Sequence, residues 1–279
     1  MSGELGLADI GLPEEATSDL AADQVARIGA VLNVDHVPAK DQPLPLLWHW
    51  GFFTPVVPTT ALGADGHPVL AAGPLTPYPR RMWASGTVEA PGYLVVGVAA
   101  VRSTRLLDSK KVQGRSGELC LVQLEHRYQQ FGEEQLVEEQ TLVYRKAGAA
   151  IPLPVGDLRP EVSRAQWRED HTLDSPTLFR FSAVTFNSHR IHYDQPYATS
   201  IEGYPALVVH GPLTALLVAE AIRTKAGRPL DRFEFRASAP LFVDLPFAIV
   251  GTSGEAPEAH VVRNDGLEAM HVMARLMPR

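Results

Sequence analysis

Phe181-Ser182-Ala183-Val184-Thr185-Phe186-Asn187-Ser188-His189-Arg190-Ile191-His192-Tyr193-Asp194 is the stretch on which the reading of this 279-residue chain turns. Its second half gathers two histidines, an arginine, an asparagine and an aspartate into one short, polar segment. After Gly203-Tyr204-Pro205 comes Val208-Val209-His210-Gly211-Pro212-Leu213. Proline in the first turn, Gly227 at the end and Pro229 just beyond predict a helix over 212–226. Four strand-like runs follow it, at 232–238, 245–252, 259–263 and 269–277.

Upstream, Gly148, Pro152, Pro154, Gly156 and Pro160 mark 147–160 as a linker between a first unit at 1–146 and a second at 161–279. The first unit has strand-like runs at 93–100, 119–128 and 135–144. Before them, Thr17-Ser18-Asp19 offers a cap for a short helix carrying Leu20, Val25, Ile28 and Leu32. Residues 38–79 are crowded with proline and glycine and hold the aromatic cluster Trp48, Trp50, Phe52 and Phe53, with His49 inside it. A loop and helix followed by an antiparallel meander thus occur once in each half. The expectation is a tandem of two similar α+β units.

Composition narrows the function. Apolar residues make up 45% and charged residues 20%, enough for a packed core. Net charge is −7, and no basic block exceeds a pair such as Arg80-Arg81, which argues against nucleic acid as partner. Cys120, the single cysteine, excludes an internal disulfide and a Cys-rich zinc site. The first 20 residues carry Glu4, Asp9, Glu14, Glu15 and Asp19 without Lys or Arg, unlike a secretory or mitochondrial leader. The apolar stretch 206–222 is broken by His210, Gly211, Pro212 and Glu220, so no membrane span is expected. A cytoplasmic protein is the expectation.

The 181–194 stretch, with the His210-Gly211 helix start, resembles the MaoC-like (R-specific) enoyl-CoA hydratase family of hotdog proteins. There an aromatic-Ser-Ala-Leu opening leads to Gly-Asp-x-Asn-Pro-Leu-His-x-Asp, and a downstream His-Gly precedes the long hotdog helix. The spacing matches without gaps from Phe181 to Asp194. The 43–50 run, Pro-Leu-Pro-Leu-Leu-Trp-His-Trp, looks like the non-catalytic repeat of double-hotdog dehydratases. Phe-Asn-x-His-Arg-Ile-His-Tyr-Asp is the form typical of mesaconyl-CoA and itaconyl-CoA hydratases. The resemblance implies a tandem double hotdog, each antiparallel sheet wrapped around a long helix, with the active residues in the second unit. It implies an acyl-CoA substrate, a branched C5 dicarboxylic acyl group interconverted with citramalyl-CoA, and neither metal nor organic cofactor. Hotdog folds commonly pair their sheets, so a homodimer is compatible with it.

Hydration beside a thioester needs a group that handles the proton at the α carbon, one that manages water at the β carbon, and donors for the developing enolate oxygen. His192 falls at the family's acid–base position, and an imidazole exchanges protons near neutral pH. The family's aspartate five residues earlier is here Asn187, whose amide orients water but accepts no proton. Three readings stay open: His192 performs both transfers with Asn187 orienting the water, His189 or Asp194 is the second group, or the site binds without turnover. Gly211 sits at a helix N-terminus, where an unused N–H and the macrodipole favour a thioester oxygen. His210 supports the same entrance. Arg190 replaces the family's proline and is expected either to meet a substrate carboxylate or to pair with Asp194 or Glu202.

Elsewhere the expectations are plainer. The aromatic cluster walls the acyl pocket or packs the units together. Lys110, Lys111 and Arg115 meet coenzyme A phosphates or form a charged hairpin tip. Cys120 fills a core. The rival functions are a 3-hydroxyacyl-ACP dehydratase, a thioesterase on the same fold, and a non-catalytic acyl-CoA-binding protein.

Overall fold

The computed structural model describes residues 5–70, 72–114, 117–146, 148, 150–156 and 165–278. The first half contains β1 (Glu15–Ser18), α1 (Ala22–Leu32), β2 (Arg80–Glu89), β3 (Ala100–Gly114), β4 (Gly117–Gln130) and β5 (Glu133–Arg145). The second contains β6 (Trp167–His171), α2 (Ser175–Val184), α3 (Gln195–Ser200), α4 (Gly211–Ala226), β7 (Leu230–Ala237), β8 (Phe247–Gly251), β9 (Glu258–Arg263) and β10 (Glu268–Leu276).

The strands form one ten-stranded sheet in the order β1-β3-β4-β5-β2-β7-β10-β9-β8-β6. Read from its two edges, the two halves have the same order: β1-β3-β4-β5-β2 and β6-β8-β9-β10-β7. The repeat therefore lies in topology. Its two copies meet where β2 pairs with β7, from Ser85 opposite Arg236 to Glu89 opposite Arg232. Val88, Phe233 and Phe235 are buried at this seam, so apolar burial reinforces the ladder there. The fold is the expected α+β hotdog arrangement, with the two sheets merged into one.

α4 is the long helix of the fold. Nine of its 16 residues, among them Leu213, Leu216, Val218, Ala219 and Ile222, are buried, so it lies largely inside the molecule. Gly227, at φ 61°, caps its end with a left-handed turn, and Arg223 and Lys225 complement the negative end of the dipole. Among the described residues, the first half has no helix of this length. Three residues separate β1 from α1, as three separate β6 from α2, so α1 corresponds in chain position to α2. The expectation of a long helix in each unit is met in the second only. In the first, the aromatic segment 48–53 occupies the core, where Trp48 donates to Glu220 of α4 at 2.8 Å. The cluster therefore packs the two halves together.

Three expectations from sequence are corrected here. Thr17 and Ser18 belong to β1, and α1 starts after Ala21 without a side-chain cap. The apolar run 93–99 is not a named strand; Leu94 and Val96 are buried, and its backbone bonds the Gln42–Leu44 turn and the Gln130 side chain. Continuous apolarity signalled burial there, not pairing. Strands β2 and most of β3 escaped notice because Arg80-Arg81 and Asp108-Ser109-Lys110-Lys111 interrupt any alternation. Lys110 and Lys111 lie in the β3–β4 hairpin, beside Asp108 and Tyr78, while Arg115 falls outside the described residues. Cys120 is buried with Val122 and Leu124. Of the linker, 151–156 runs without regular structure, tied by Ile151 to Gly203 and by Asn264 to Pro154. Among the described residues no helix is long and apolar enough to cross a membrane.

Candidate active site

The informative stretch folds as a helix, a turn and a second helix start. Asp174 caps α2 through the Thr177 N–H at 2.9 Å, with proline in the first turn. Phe186 then takes φ 50°, and the Asn187 N–H returns to Ser182 O at 2.8 Å, turning the chain out of the helix. A single 3₁₀ turn, Arg190–His192, delivers the key imidazole. Asp194 caps α3 by accepting from the Tyr197 N–H at 3.1 Å.

His192 is buried, and its Nδ1 lies 2.7 Å from Val208 O. A carbonyl only accepts, so Nδ1 carries the proton and Nε2 keeps a free lone pair. Burial pushes the imidazole down to about 4, the Val208 carbonyl opposing and the nearby His67 adding to the fall. At neutral pH His192 is an uncharged base with a fixed tautomer. Val208 is itself held by its N–H to Ile191 O and by its bridge to Phe242.

The ring of His192 stacks on His210 with centroids 3.6 Å apart. His210 is the cap residue of α4, so the imidazole stands beside the start of that helix and Gly211. As the first helical residue, Gly211 has no intrahelical acceptor for its N–H. Its lack of a side chain is required, because a Cβ would stand 2.8 Å from Trp83 Cε3. Trp83 stacks in turn on Phe235 at 3.8 Å and meets Trp50 edge-on. Gly211→Val should lower kcat/KM on any accepted enoyl thioester by at least about 100-fold, by displacing the indole and crowding the amide. Steady-state kinetics at an unchanged far-UV spectrum checks this.

Two substrate-facing expectations change. His210 is 1% exposed, bonded to Ser182 Oγ at 2.9 Å, and lies beneath His192 instead of lining an entrance. Burial, with repulsion from His192 and His189, holds it uncharged. It buttresses the base. Arg190 is committed to the loop: Nε and Nη2 reach Asp194 Oδ2 at 3.0 and 2.7 Å, and Nη1 reaches Ala64 O at 2.9 Å. Its guanidinium also lies 4.1 Å from the Tyr197 ring centroid. A substrate carboxylate would have to displace Asp194, so of the two readings of Arg190 the geometry has the pairing one.

Asn187 uses Oδ1 to accept the His189 N–H at 3.0 Å, a turn role that occupies one of that oxygen's two lone pairs. His189 is wedged between His67, 4.1 Å away by centroid, and His192, 5.5 Å away. Burial first, and then its charged-form repulsion with both rings, hold it neutral. Asp194 serves as cap and Arg190 partner, each of which keeps its carboxyl below the ordinary range.

Sequence reasoning missed Asp65 and His67. They come from the other half of the chain, and their signal was only an Asp-Gly-His turn within the proline- and glycine-rich segment. His67 Nδ1 lies 3.0 Å from Asp65 Oδ2. Donor atoms of Asp65, His67 and His189 lie within 4.8 Å of one another, as do those of Glu258, His260 and His271. In both clusters histidine nitrogens already bond carboxylates, and the paired rings lie tilted or stacked against one another.

The comparisons agree with this architecture. The sequence profile of hydroxyacyl-thioester dehydratase type 2 matches residues 47–243. The chain is 39% identical over 279 residues to the mesaconyl-C(4)-CoA hydratase of Chloroflexus aurantiacus, covering 99% of each. It is 28% identical over 243 residues to the mitochondrial hydroxyacyl-thioester dehydratase type 2 of Schizosaccharomyces pombe, covering 76% of this chain and 78% of that one. Among solved structures, HtdX of Mycobacterium tuberculosis superposes with a TM-score of 0.68 at 16% identity, over 94% of this chain and 100% of that one. A MaoC-like dehydratase of Phytophthora capsici gives 0.69 at 11% identity, over 95% of each chain.

Proposed function

Since the chain belongs to the hydroxyacyl-thioester dehydratase type 2 family, whose members interconvert enoyl and hydroxyacyl thioesters, we propose that it hydrates mesaconyl-C(4)-CoA to citramalyl-CoA and runs the reverse dehydration. It is a hydro-lyase of the enoyl-CoA hydratase kind. The observation that carries the chemistry is His192: a neutral imidazole, its free Nε2 fixed by the Val208 carbonyl, beside the helix start that presents the Gly211 N–H.

In the dehydration direction, His192 Nε2 takes the α proton of the thioester. The electron pair left at the α carbon delocalises onto the thioester oxygen, held at the Gly211 N–H and the positive end of α4. Collapse of this enolate forms the double bond and expels the β hydroxyl as water once it is protonated. Hydration is the reverse. The mesaconyl acyl group is supported by the full-length relative at 39% identity. Itaconyl-CoA shares the citramalyl product and is the second candidate, reached only if the proton leaves the β-methyl group instead of the α carbon.

The test is loss of enoyl absorbance with mesaconyl-C(4)-CoA, itaconyl-CoA and crotonyl-CoA. The expected result is the highest kcat/KM on mesaconyl-C(4)-CoA, by about tenfold or more over crotonyl-CoA. Equal or better turnover of crotonyl-CoA overturns the dicarboxylic assignment. Binding without turnover of all three overturns the enzymatic one.

A further inference from the structure

Residues 61–69 form a tight turn on the first half of the chain. Gly63 N–H bonds His67 O at 2.7 Å, Val69 N–H bonds Ala61 O at 2.8 Å, and Leu62 bridges Pro68. This turn is latched onto the histidine loop of the second half. Arg190 N–H reaches Asp65 O at 2.8 Å, Arg190 Nη1 reaches Ala64 O at 2.9 Å, and Ser188 Oγ–H donates to Gly66 O. Gly66 has φ 87°, and a Cβ there would lie 1.9 Å from Ser188 O, so only glycine permits the approach.

The latch holds one side chain in particular. Asp65 accepts the His67 backbone N–H at 3.0 Å through Oδ1 and the His67 ring at 3.0 Å through Oδ2. Burial opposes ionisation of Asp65, but the His67 ring and N–H keep its carboxyl below the ordinary range. An ionised carboxylate only accepts, so His67 Nδ1 carries a proton and its Nε2 is the exchanging atom. The His67 side chain keeps 19% exposure and lies tilted against His189, which in turn meets the edge of His192. Four imidazoles thus run from Asp65 to Ser182: His67, His189, His192 and His210. Of these, His189 and His210 have no carboxylate partner described, and both are held neutral. His192 is bonded to a carbonyl. Of the four, His67 is the member bonded to a carboxylate, which opposes the lowering that burial imposes on its ring.

The geometry points to His67, oriented by Asp65, as the second proton-handling group of the reaction, filling the place that Asn187 leaves empty. This rests on the hydro-lyase reading above. In dehydration, the C–H bond at the α carbon breaks toward His192 Nε2 and the C–O bond at the β carbon breaks. The leaving hydroxyl takes the proton from His67 Nε2 and departs as water. His192 ends one proton richer and His67 one poorer, and solvent returns the difference. Hydration reverses each step, with His67 Nε2 accepting the proton of the attacking water. The charged and titratable groups facing His67 are Asp65 on its own turn, Arg81 of β2, Glu202 after α3, and His189 and His192 of the loop. Burial is the largest influence and lowers His67 below the ordinary imidazole value; Asp65 and Glu202 oppose the fall and Arg81 adds to it, so the protonated donor grows in as pH drops below about 6.5.

The experiment compares wild type, His67→Gln, His67→Ala and Asp65→Asn on the best enoyl thioester and its hydroxyacyl product. His67→Gln is expected to lose about 100-fold or more in kcat, with KM within threefold. The dehydration rate of the wild type should fall as pH rises through the His67 pKa, and the variant should lose that alkaline limb. Added imidazole should restore His67→Ala at least tenfold, and Asp65→Asn should fall between wild type and His67→Gln. Thermal melting checks that each variant folds. A His67→Gln enzyme within threefold of wild type overturns the assignment, as does a loss confined to KM. Stoichiometric tightly bound metal lost together with activity on chelation would also overturn it, making the cluster a metal centre. A wild type inactive on every enoyl thioester overturns the function itself, and this inference with it.

Discussion

His192→Ala is expected to abolish hydration, lowering kcat by about 10⁴-fold or more, while the fold persists at a modestly lower melting temperature. One acid–base group commonly contributes about 10²–10⁴-fold. This one contributes at the upper end or beyond, because proton transfer at carbon has no substitute donor at the Gly211 amide. The fold should survive, since the ring is uncharged and the cost is one hydrogen bond, the Val208 carbonyl left unpaired at about 1–3 kcal/mol. The pH dependence follows from the same burial. With its pKa pushed down to about 4, the imidazole remains a free base as pH falls from 7 toward 5. In the dehydration direction, where His192 acts as base, the acid limb it controls should therefore lie near pH 4, well below the usual 6.5 of histidine. An acid limb at 6.5 that survives in His67→Gln would show that a different group acts as base. Near-wild-type turnover in His192→Ala would remove His192 from the reaction altogether.

Glu138→Ala should have the largest effect on stability of any single change outside the site, about 3–5 kcal/mol in urea unfolding. The carboxylate is fully buried on β5 and accepts from Trp50 Nε1 and Tyr128 O–H, both at 2.8 Å. It also meets His49 Nε2 at 3.1 Å and Gln140 Nε2 at 2.5 Å. Burial opposes its ionisation, but the bond and charge of His49, with His126 and Gln140, bring its pKa down to about 2. Alanine would leave several donors without an acceptor beneath the aromatic segment. The contribution is linked to pH. A folded pKa below the unfolded value of 4.5 gives stability that is complete above pH 4.5 and fades as pH falls toward 2. Glu138→Gln, which keeps shape and one acceptor, should cost less than Glu138→Ala. Equal unfolding midpoints for Glu138→Ala and wild type would show that the cluster holds nothing together.

Both predictions depend on contacts between distant parts of the chain, and that divides what was legible in sequence from what was not. Local chemistry was legible. Proline at the first turn and glycine past the last residue set the ends of α4, and the resemblance carried by 181–194 and by His210-Gly211 marked His192 and Gly211 as candidates. The meander of the second half was legible because its strands are apolar on a buried face. The first half was harder: its aromatic segment has no period, its charged strands do not alternate, and a continuous apolar run there proved to be loop. Arg190 shows the limit within the motif itself, since only the folded loop decides whether a guanidinium faces a ligand or an aspartate four residues away.

Residue order along the chain determined the ends of α4 and the motif that places His192 and His210-Gly211 in one stretch of sequence, because each is written in neighbours a few positions apart. Tertiary structure alone decided that β2 and β7 weld the halves into one sheet, that His49 answers Glu138 and that Asp65-His67 crosses more than a hundred residues to meet His189. These contacts are set by how two similar surfaces close on one another, and burial then fixes which groups are charged.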